Sequence, residues 1–456
     1  MFTGLKSQRD FSDLFITNIL PHDHELVKLR NIINWKAINS IYKSCYKSKK
    51  GNKTKSTDIV IGLIILRRFK NMSYRKVIDE LHVNNAFMYF CNVSHFDIME
   101  YNKRGKKIIS HTTLVKILKR LGAKRIKKIE RIFVKELIEK KIIDGKNISS
   151  DTTSMESDII YPTEVNLLNR VIEHAQKIVQ KVVRKKEMIK TEVIKKAGSI
   201  SKIFYSSTVK SKELLKDCTS KLMEIAEEQM EKASESLCEV KDVMLKLFLS
   251  AIYEKLKDVG GRIIEQVKLR QAGEKVSDRI VSYFETHARP LPKGKVHKPC
   301  EFGMKLRIDM TGNNYITNYE LYEGNPSDAG MLSDVIRSHD KVFEDFISGS
   351  FDRGYYDEKR KAELEEEYGI KLAIPHRKDR TAKMNKKEKK LYDKRSAIEA
   401  KISEGKRVYG MGKCRDKGFE KHQIWAIMSI FNLNMSKLLR DIKEDKAIAK
   451  KFTLNF

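Results

Sequence analysis

The chain has 456 residues and a mass of 53.0 kDa, which is enough for two or three domains with buried cores. Its 41% hydrophobic and 34% charged residues exclude a disordered chain, and no apolar run reaches the roughly 18 residues that a membrane span needs. Lys and Arg number 92 against 61 Asp and Glu, and the formal net charge of +31 favours a polyanionic partner such as nucleic acid. Genomic bias towards Lys is the alternative, but it explains the preference for Lys over Arg better than the surplus.

The cysteines and the first residues bear on the compartment. None of the six cysteines forms a CxxC or CxxH pair, which argues against a zinc site and fits a reducing environment. The opening sequence MFTGLKSQRDFSD has no apolar signal core. We therefore expect a cytoplasmic protein that does not enter a membrane.

The first elements along the chain are predicted to be helices. The stretch YKSKKGNKTKST is basic and rich in Ser and Lys, which is typical of a linker. Thr57 or Asp58 is expected to cap a helix through IVIGLIILRRF, and Ser73 to cap a second helix. A third capped helix, SHTTLVKILKRLG, ends at Gly122 and precedes a long basic helix.

The later elements predict a mixed α/β sheet interrupted by helices. A short β-like run, NISSDTT, is followed from about 164 to 275 by apolar residues at helical spacing. After ARPLPKG the period changes, and EFGMKLRIDMTGNNYITNYELYEG predicts a β-hairpin with a TGNN turn. FISGSFDRGYYDEKRKAELEEEYGIKLAIP then predicts a parallel β-α-β unit whose helix ends at Gly369.

These elements divide the chain into four predicted regions. They are an N-terminal segment with its basic linker (1–56), a helical DNA-binding or dimerisation domain (57–145), an α/β core (146–163 and 276–456) and a helical insertion after the first strand (164–275). In the helical domain, a helix-turn-helix and a plain helical bundle with a solvated basic face both remain open.

Two aspartates are expected at the carboxyl ends of strands, where open α/β sheets collect their ligands. Asp151 follows ISS, and Asp352 lies in SFDRGYY just before a glycine. Two carboxylates at neighbouring strand ends would suit a hard cation such as Mg²⁺. Either aspartate by itself is more simply a turn or helix-capping residue. Asp309, expected at the TGNN turn, and Asp158, beyond the first strand, are rival acids.

A second pattern lies in YDKRSAIEAKISEGK. Tyr392, Arg395, Glu399 and Lys406 stand at offsets 0, 3, 7 and 14, which on a continuous helix places all four within one arc of about 60°. Glu404 would point to the far side of that helix. A solvated face of i,i+4 ion pairs would give a similar pattern. Gly405 costs a helix roughly 1 kcal/mol relative to Ala and could end it before Lys406.

The spacing Y-x2-R-x3-E-x6-K resembles the signature of bacterial insertion-sequence DDE transposases. Other segments are similar to this family in the same order, from about residue 58 to residue 440: DTT with a following YPT, EFGMK, GNPSD, DRGYY and KRVYGMGKCRDKG. The resemblance leaves the early N-terminus and much of the helical insertion uncovered. The interval between Asp151 and Asp352 is long for such a core, and the insertion must account for it.

The resemblance implies a ribonuclease H-like catalytic core. In it, Asp151, Asp352 and Glu399 would be both the catalytic residues and the ligands of two Mg²⁺ (or Mn²⁺) ions. Arg395 and Lys406 would bind DNA phosphates, and Tyr392 would position a phosphate or a flipped base.

The function implied is that of a DNA transposase. Its partners would be double-stranded DNA, in the form of terminal inverted repeats and target DNA, and a second copy of the chain, because two ends are cut. Two alternatives remain: a catalytically inactive DNA-binding protein derived from a transposase, and a ribonuclease H-like nuclease without strand transfer.

Overall fold

The computed structural model describes residues 20–46, 53–182, 192–293, 299–376 and 384–452. Half of the predicted linker YKSKKGNKTKST lies outside them. The helices in these ranges are α1 (Glu25–Ile32), α2 (Trp35–Lys43), α3 (Thr57–Phe69), α4 (Tyr74–Leu81), α5 (Asn85–Phe90), α6 (His95–Lys103), α7 (His111–Glu139), α8 (Glu164–Val182), α9 (Glu192–Ser206), α10 (Lys212–Cys238), α11 (Val243–Gln271), α12 (Leu332–Asp340), α13 (Glu358–Tyr368), α14 (Lys386–Asp393), α15 (Ser396–Arg407), α16 (Phe419–Glu444) and α17 (Lys446–Lys450). The strands are β1 (Asn147–Ser157), β2 (Arg289–Pro292), β3 (Cys300–Thr311), β4 (Ile316–Tyr322), β5 (Ser348–Phe351), β6 (Lys371–Ala373) and β7 (Lys413–Cys414). Along these ranges, no helix is both long and apolar enough to cross a membrane.

The helices before β1 follow the capping signals of the sequence, with two differences. The side chains of Ser73 and Ser110 cap α4 and α7, and Gly122 interrupts α7 with a φ of 68°. Helix α3 begins at Thr57, but its cap is the preceding Ser56 rather than Thr57 or Asp58. Helices α1 and α2 have no counterpart among the predicted elements. The N-terminal segment before the predicted linker therefore contains two short helices that the sequence analysis did not recognise.

The predicted mixed α/β architecture is confirmed. The strands form a seven-stranded sheet in the order β2-β3-β1-β5-β6, with β4 paired to β3 and β7 paired to β1. Strands β1, β5 and β6 run parallel, whereas β2 and β4 pair antiparallel with β3. The hairpin and the β-α-β unit are present as predicted, and Gly369 ends α13 in the left-handed conformation that a residue without Cβ adopts at low cost.

Strand β1 is longer than the sequence indicated. The prediction placed the strand's exit at the threonines after Asp151, but β1 continues to Ser157. Its parallel pairing with β5 covers only Asn147 to Ser150. Strand β1 also pairs with β3 and β7, which are far away in the sequence. Asp151 therefore lies inside a strand, level with the end of its parallel neighbour.

The described residues fall into two compact units. The first is built from Met1–Met155, Lys305–Tyr322 and Pro326–Phe456, and the second from Glu156–Met304 and Glu323–Asn325. The first unit thus contains the helices before β1 together with most of the sheet and the C-terminal helices. The four-region division into 1–56, 57–145, 146–163 with 276–456, and 164–275 remains a prediction.

Within the first unit, α3 is joined to the loop before α16 by a buried charge pair. Arg67 of α3 donates two hydrogen bonds of 3.0 Å to the carboxylate of Asp416, and Tyr74 donates a third of 2.9 Å. The neighbouring Arg68 lies over the ring of Trp425 at 3.8 Å. An apolar cluster between β1, β5 and helices α12 and α13 forms a separate core around Ile336 and Phe351.

The second unit has its own core, as expected for a helical insertion. Helices α8, α9, α10 and α11 pack around fully buried apolar side chains such as Leu168, Leu222 and Ile263. Their apolar residues recur at three- and four-residue spacing, which explains why the sequence predicted this region as helical.

Candidate active site

The carboxylates of Asp151 and Asp352 come from adjacent parallel strands. Ser150 of β1 and Phe351 of β5 are the last paired residues. Asp151 is the next residue of β1, and Asp352 is the first residue after β5. Asp352 precedes a short 3₁₀ turn, but its side chain makes no capping hydrogen bond to that turn. The capping role that the sequence left open for Asp352 is therefore not adopted.

Arg395 connects the three predicted acids. Its guanidinium nitrogens lie 2.9 Å from Asp151 Oδ2, 2.5 Å from Glu399 Oε1 and 3.8 Å from Asp352 Oδ1. Its Cζ atom also lies 5.5 Å from the ring centroid of Tyr392, within cation–π range. The structure thus brings five of the six predicted site residues to one place.

The predicted single helix through this signature is wrong. Tyr392 lies in α14, whereas Glu399 lies in α15, and Arg395 is the residue immediately before α15. At the junction the backbone makes i,i+3 bonds, from Arg395 N to Tyr392 O at 2.9 Å and from Ile398 N to Arg395 O at 3.0 Å. This tighter turn breaks the regular helical spacing. The four side chains consequently do not form a stripe on one helix, although the i,i+4 pair of Arg395 and Glu399 is kept.

Helix α15 does not end at Gly405, contrary to the concern raised by its sequence. It runs on to Arg407, so Lys406 is helical. A Cβ at Gly405 would lie 2.8 Å from Met411 Cε and 3.0 Å from Leu433 Cδ1, so a larger residue here would have to displace these two side chains. Lys406 lies about 10 Å beyond Glu399 along the helix axis, with its aliphatic chain near Gly412.

The site grades from buried to exposed. The side chain of Asp151 is 18% exposed, that of Asp352 47% and that of Glu399 58%. Burial, and to a smaller degree the other two carboxylates, raises the pKa of Asp151 to about 6, although Arg395 and the amide of Thr152 oppose this. Burial lowers the pKa of Arg395, but Asp151 and Asp352 reverse this and hold it above its ordinary value. The three acids therefore concentrate negative charge around the guanidinium of Arg395.

The donor set fits a hard divalent cation. All three groups are carboxylates, which Mg²⁺ and Mn²⁺ prefer, and the guanidinium of Arg395 is the cation that they contact here. Among the described residues, oxygens of the three acids do not all lie within 4.8 Å of one another. Glu399, being the most exposed, is the acid whose side chain can adjust most easily.

The two rival acids lie elsewhere. Asp309 is not a turn residue as predicted: it lies in β3, fully buried, where its oxygens accept hydrogen bonds from Ser150 at 2.6 Å and Asn318 at 3.0 Å. Arg307 pairs with it at 3.1 Å. Asp309 therefore holds β1 in place through Ser150, which is the residue before Asp151. Asp158 is an exposed residue of the second unit.

Three residues beside the acids were not predicted. Thr152, Lys305 and Asp328 form a hydrogen-bonded group next to Asp151. Lys305 and Asp328 end the segments EFGMK and GNPSD, which the sequence had marked as family-like without giving them a role. Those two segments were the available signal.

Comparison with known families decides the identity. Residues 15–120 match the Transposase domain (DUF772), and residues 284–435 match the Transposase DDE domain. The chain belongs to the insertion-sequence DDE transposases. No curated protein and no solved structure gives a significant match.

The two matched ranges include some of the candidate site residues of this transposase but not all of them. Asp352, Arg395 and Glu399 lie inside the DDE domain match, whereas Asp151 lies between the two matches. Asp151 is assigned to the site by its register beside Asp352 and its contact with Arg395. The first match begins at residue 15 and ends within α7, so it includes helices α1 and α2.

Proposed function

We propose that this transposase binds the terminal inverted repeats of its insertion sequence, cleaves DNA at the ends and transfers the 3′-OH ends to target DNA. The observation that carries the proposal is the convergence of Asp151, Asp352 and Glu399 on the guanidinium of Arg395. We further propose that the sheet around these acids is a ribonuclease H-like core. The parallel strands β1 and β5, which present two of the acids at one sheet edge, support this proposal.

Asp151, Asp352 and Glu399 would hold two Mg²⁺ or Mn²⁺ ions. Such ions supply a clamp for the attacking and leaving oxygens of a phosphodiester substitution. The protein's own contribution is to place two carboxylates rigidly on adjacent strands and the third on a helix. Because the side chain of Asp151 is mostly buried, water has limited access to that carboxylate.

Arg395, Tyr392 and Lys406 are proposed to contact DNA near the acids. A guanidinium can bind a phosphate through two hydrogen bonds, and an ammonium binds it as a point charge. Tyr392 offers a half-buried aromatic face beside Arg395, suited to a phosphate or a flipped base. Lys406, further along α15, would contact a phosphate at a distance from the cleaved bond.

A basic helix face is the proposed route of the DNA duplex. Six cationic side chains of α7 are exposed: Lys116, Lys119, Arg120, Lys124, Lys128 and Lys135. Before the interruption at Gly122, Lys116 and Arg120 are four positions apart, and after it Lys124, Lys128 and Lys135 are four and seven positions apart, so within each half these charges share one side of the helix. A stripe of this kind follows the phosphate backbone without reading its sequence. Because two ends must be joined, we propose that the active complex contains at least two copies of the chain.

The proposal is tested by cleavage of labelled DNA that carries the element's ends. Asp151→Asn, Asp352→Asn and Glu399→Gln are each expected to abolish Mg²⁺-dependent cleavage while the affinity for DNA stays close to that of the wild type. Asp158→Asn, at the exposed rival acid, is the control and should cut normally. Normal cutting by any one of the three variants would remove that residue from the site.

The same assay separates the alternatives. Joined products, in which a labelled 3′ end becomes linked to target DNA, distinguish a transposase from a nuclease that only hydrolyses. DNA binding without any cleavage by the wild-type chain would instead favour an inactive DNA-binding protein.

A further inference from the structure

Two segments without an assigned role meet beside the acids. Lys305, at the end of EFGMK, donates a hydrogen bond of 2.7 Å to the carbonyl of Pro326 and contacts Asp328 Oδ1 at 3.1 Å. Asp328 ends the segment GNPSD. The side chains of Lys305 and Asp328 are only 15% and 21% exposed, so their ion pair is shielded from solvent. Breaking a shielded pair is costly because it leaves one charge without its partner.

Asp328 also lies against the chain segments that follow the two aspartates. Its Oδ1 atom accepts a hydrogen bond of 3.2 Å from the hydroxyl of Thr152, the residue after Asp151. Gly354 lies two residues after Asp352 and packs against the same carboxylate: a Cβ added at Gly354 would be only 2.8 Å from Asp328 Oδ2. One carboxylate therefore lies between the chain after Asp151 and the chain after Asp352.

The next residue along the chain is fixed as well. Arg360 of α13 donates a hydrogen bond of 3.0 Å to the carbonyl of Ala329. The turn that contains Asp328 is thus held to β3 by Lys305, to β1 by Thr152 and to α13 by Arg360. Lys305 and Thr152 share Asp328 Oδ1, so this oxygen is occupied by protein donors.

From these contacts we propose that Asp328, held by Lys305, is a positioning residue for the carboxylate site. It fixes the separation of the two chain segments that present Asp151 and Asp352, and so sets the affinity of the site for divalent cations. The inference rests on the proposed function, because it takes these two aspartates as metal ligands. Groups that orient metal ligands without touching the metal typically change metal affinity about 10- to 100-fold when they are removed.

The test measures Mn²⁺ binding to the full-length protein by titration calorimetry, without DNA. Asp328→Asn is expected to weaken Mn²⁺ binding about 10-fold or more. Thr152→Val removes only the hydroxyl and should weaken binding in the same direction, whereas Thr152→Ser keeps the donor and should bind as the wild type does. Because Thr152→Val conserves the shape of the side chain, the test stands even if Asp328→Asn folds poorly.

A matched control separates positioning from general stability. Asp58 forms a comparable shielded pair with Arg30, at 2.9 Å with side chains 2% and 13% exposed. Asp58→Asn should lower the melting temperature without changing the Mn²⁺ affinity. Wild-type Mn²⁺ affinity in Asp328→Asn or in Thr152→Val would overturn the proposal, as would an equal loss of affinity in Asp58→Asn.

Asp151→Asn distinguishes a failure of this inference from a failure of the proposed function. If Asp151→Asn abolishes Mn²⁺ binding but Asp328→Asn leaves it unchanged, only the positioning role is wrong. If Asp151→Asn binds Mn²⁺ and cleaves DNA like the wild type, the assignment of the metal site itself is wrong.

Discussion

The guanidinium of Arg395 lies 2.9 Å from a carboxylate oxygen of Asp151, although 244 positions separate the two residues in the chain. The same guanidinium contacts Glu399 one helical turn away. Arg395 thus contacts one acid that is near in the sequence, Glu399, and one that is distant in the sequence, Asp151. The DNA-phosphate contact that we propose for Arg395 would therefore compete with its contacts to these carboxylates.

Replacement of Arg395 tests whether its positive charge binds a DNA phosphate or only the neighbouring carboxylates. We expect Arg395→Ala to weaken binding to element-end DNA and to lower the slope of log K against log salt by about 1, because one phosphate contact is lost. The measurement is DNA affinity at several salt concentrations. Arg440→Ala is the matched control, since Arg440 pairs with Glu404 on the opposite side of α15. An unchanged slope in Arg395→Ala would mean that its charge serves only the carboxylates.

Glu130 should make stability depend on pH. Burial raises its pKa to about 7, an effect that Arg131 and the hydroxyl of Tyr319 only partly oppose. The folded state therefore holds a proton that the unfolded state releases above its ordinary pKa of 4.5. The stability that comes from protonated Glu130 is complete below pH 4.5 and is lost as the pH rises towards 7. The loss in the free energy of unfolding is up to about 3 kcal/mol.

Glu130→Gln removes this titration while keeping an acceptor for Tyr319. The melting temperature of the variant, relative to the wild type, should rise between pH 5 and pH 8. Glu139→Gln, at an exposed position of the same helix, should show no such trend. A difference between Glu130→Gln and the wild type that stays constant with pH would contradict the prediction.

Gly405 is expected to be required for packing. An alanine normally stabilises a helix by up to about 1 kcal/mol relative to glycine. Here its Cβ would meet the fully buried side chains of Met411 and Leu433 at 3.0 Å or less. We predict that Gly405→Ala lowers the free energy of unfolding by about 1–3 kcal/mol through overpacking. Ser403→Ala, on the exposed side of the same helix, should be neutral or slightly stabilising, and denaturant titration measures both.

The pair of Arg67 and Asp416 should dominate the attachment of α3. Asp416→Ala leaves a buried guanidinium without its partner and is expected to cost about 3–5 kcal/mol of unfolding free energy. Tyr74→Phe removes one hydrogen bond and should cost about 1 kcal/mol. Tyr74 and Arg67 bind the same Oδ2 atom of Asp416. The loss of unfolding free energy in the double variant Asp416→Ala/Tyr74→Phe should therefore be smaller than the sum of the losses in the two single variants. Strict additivity would contradict this shared contact.

Local sequence determined much of the fold. Helix caps at Ser73 and Ser110, the hairpin of β3 and β4, and the β-α-β unit ending at Gly369 were all predicted correctly. These features depend on residues a few positions apart, whose hydrogen bonds and periodicity are visible in the sequence itself. The contact of Arg395 with Glu399 belongs to the same class, since it needs only one turn of chain.

Only the tertiary structure decided which acids meet and how they are supported. Strand β1 runs past Asp151 and pairs with the distant strands β3 and β7 as well as with β5. Asp309 is a buried residue of β3 rather than a turn residue, and it accepts hydrogen bonds from Ser150 and Asn318. The group of Thr152, Lys305 and Asp328 likewise joins three distant segments. The physical reason is that such contacts depend on where separate elements pack, and no local spacing in the chain encodes that distance.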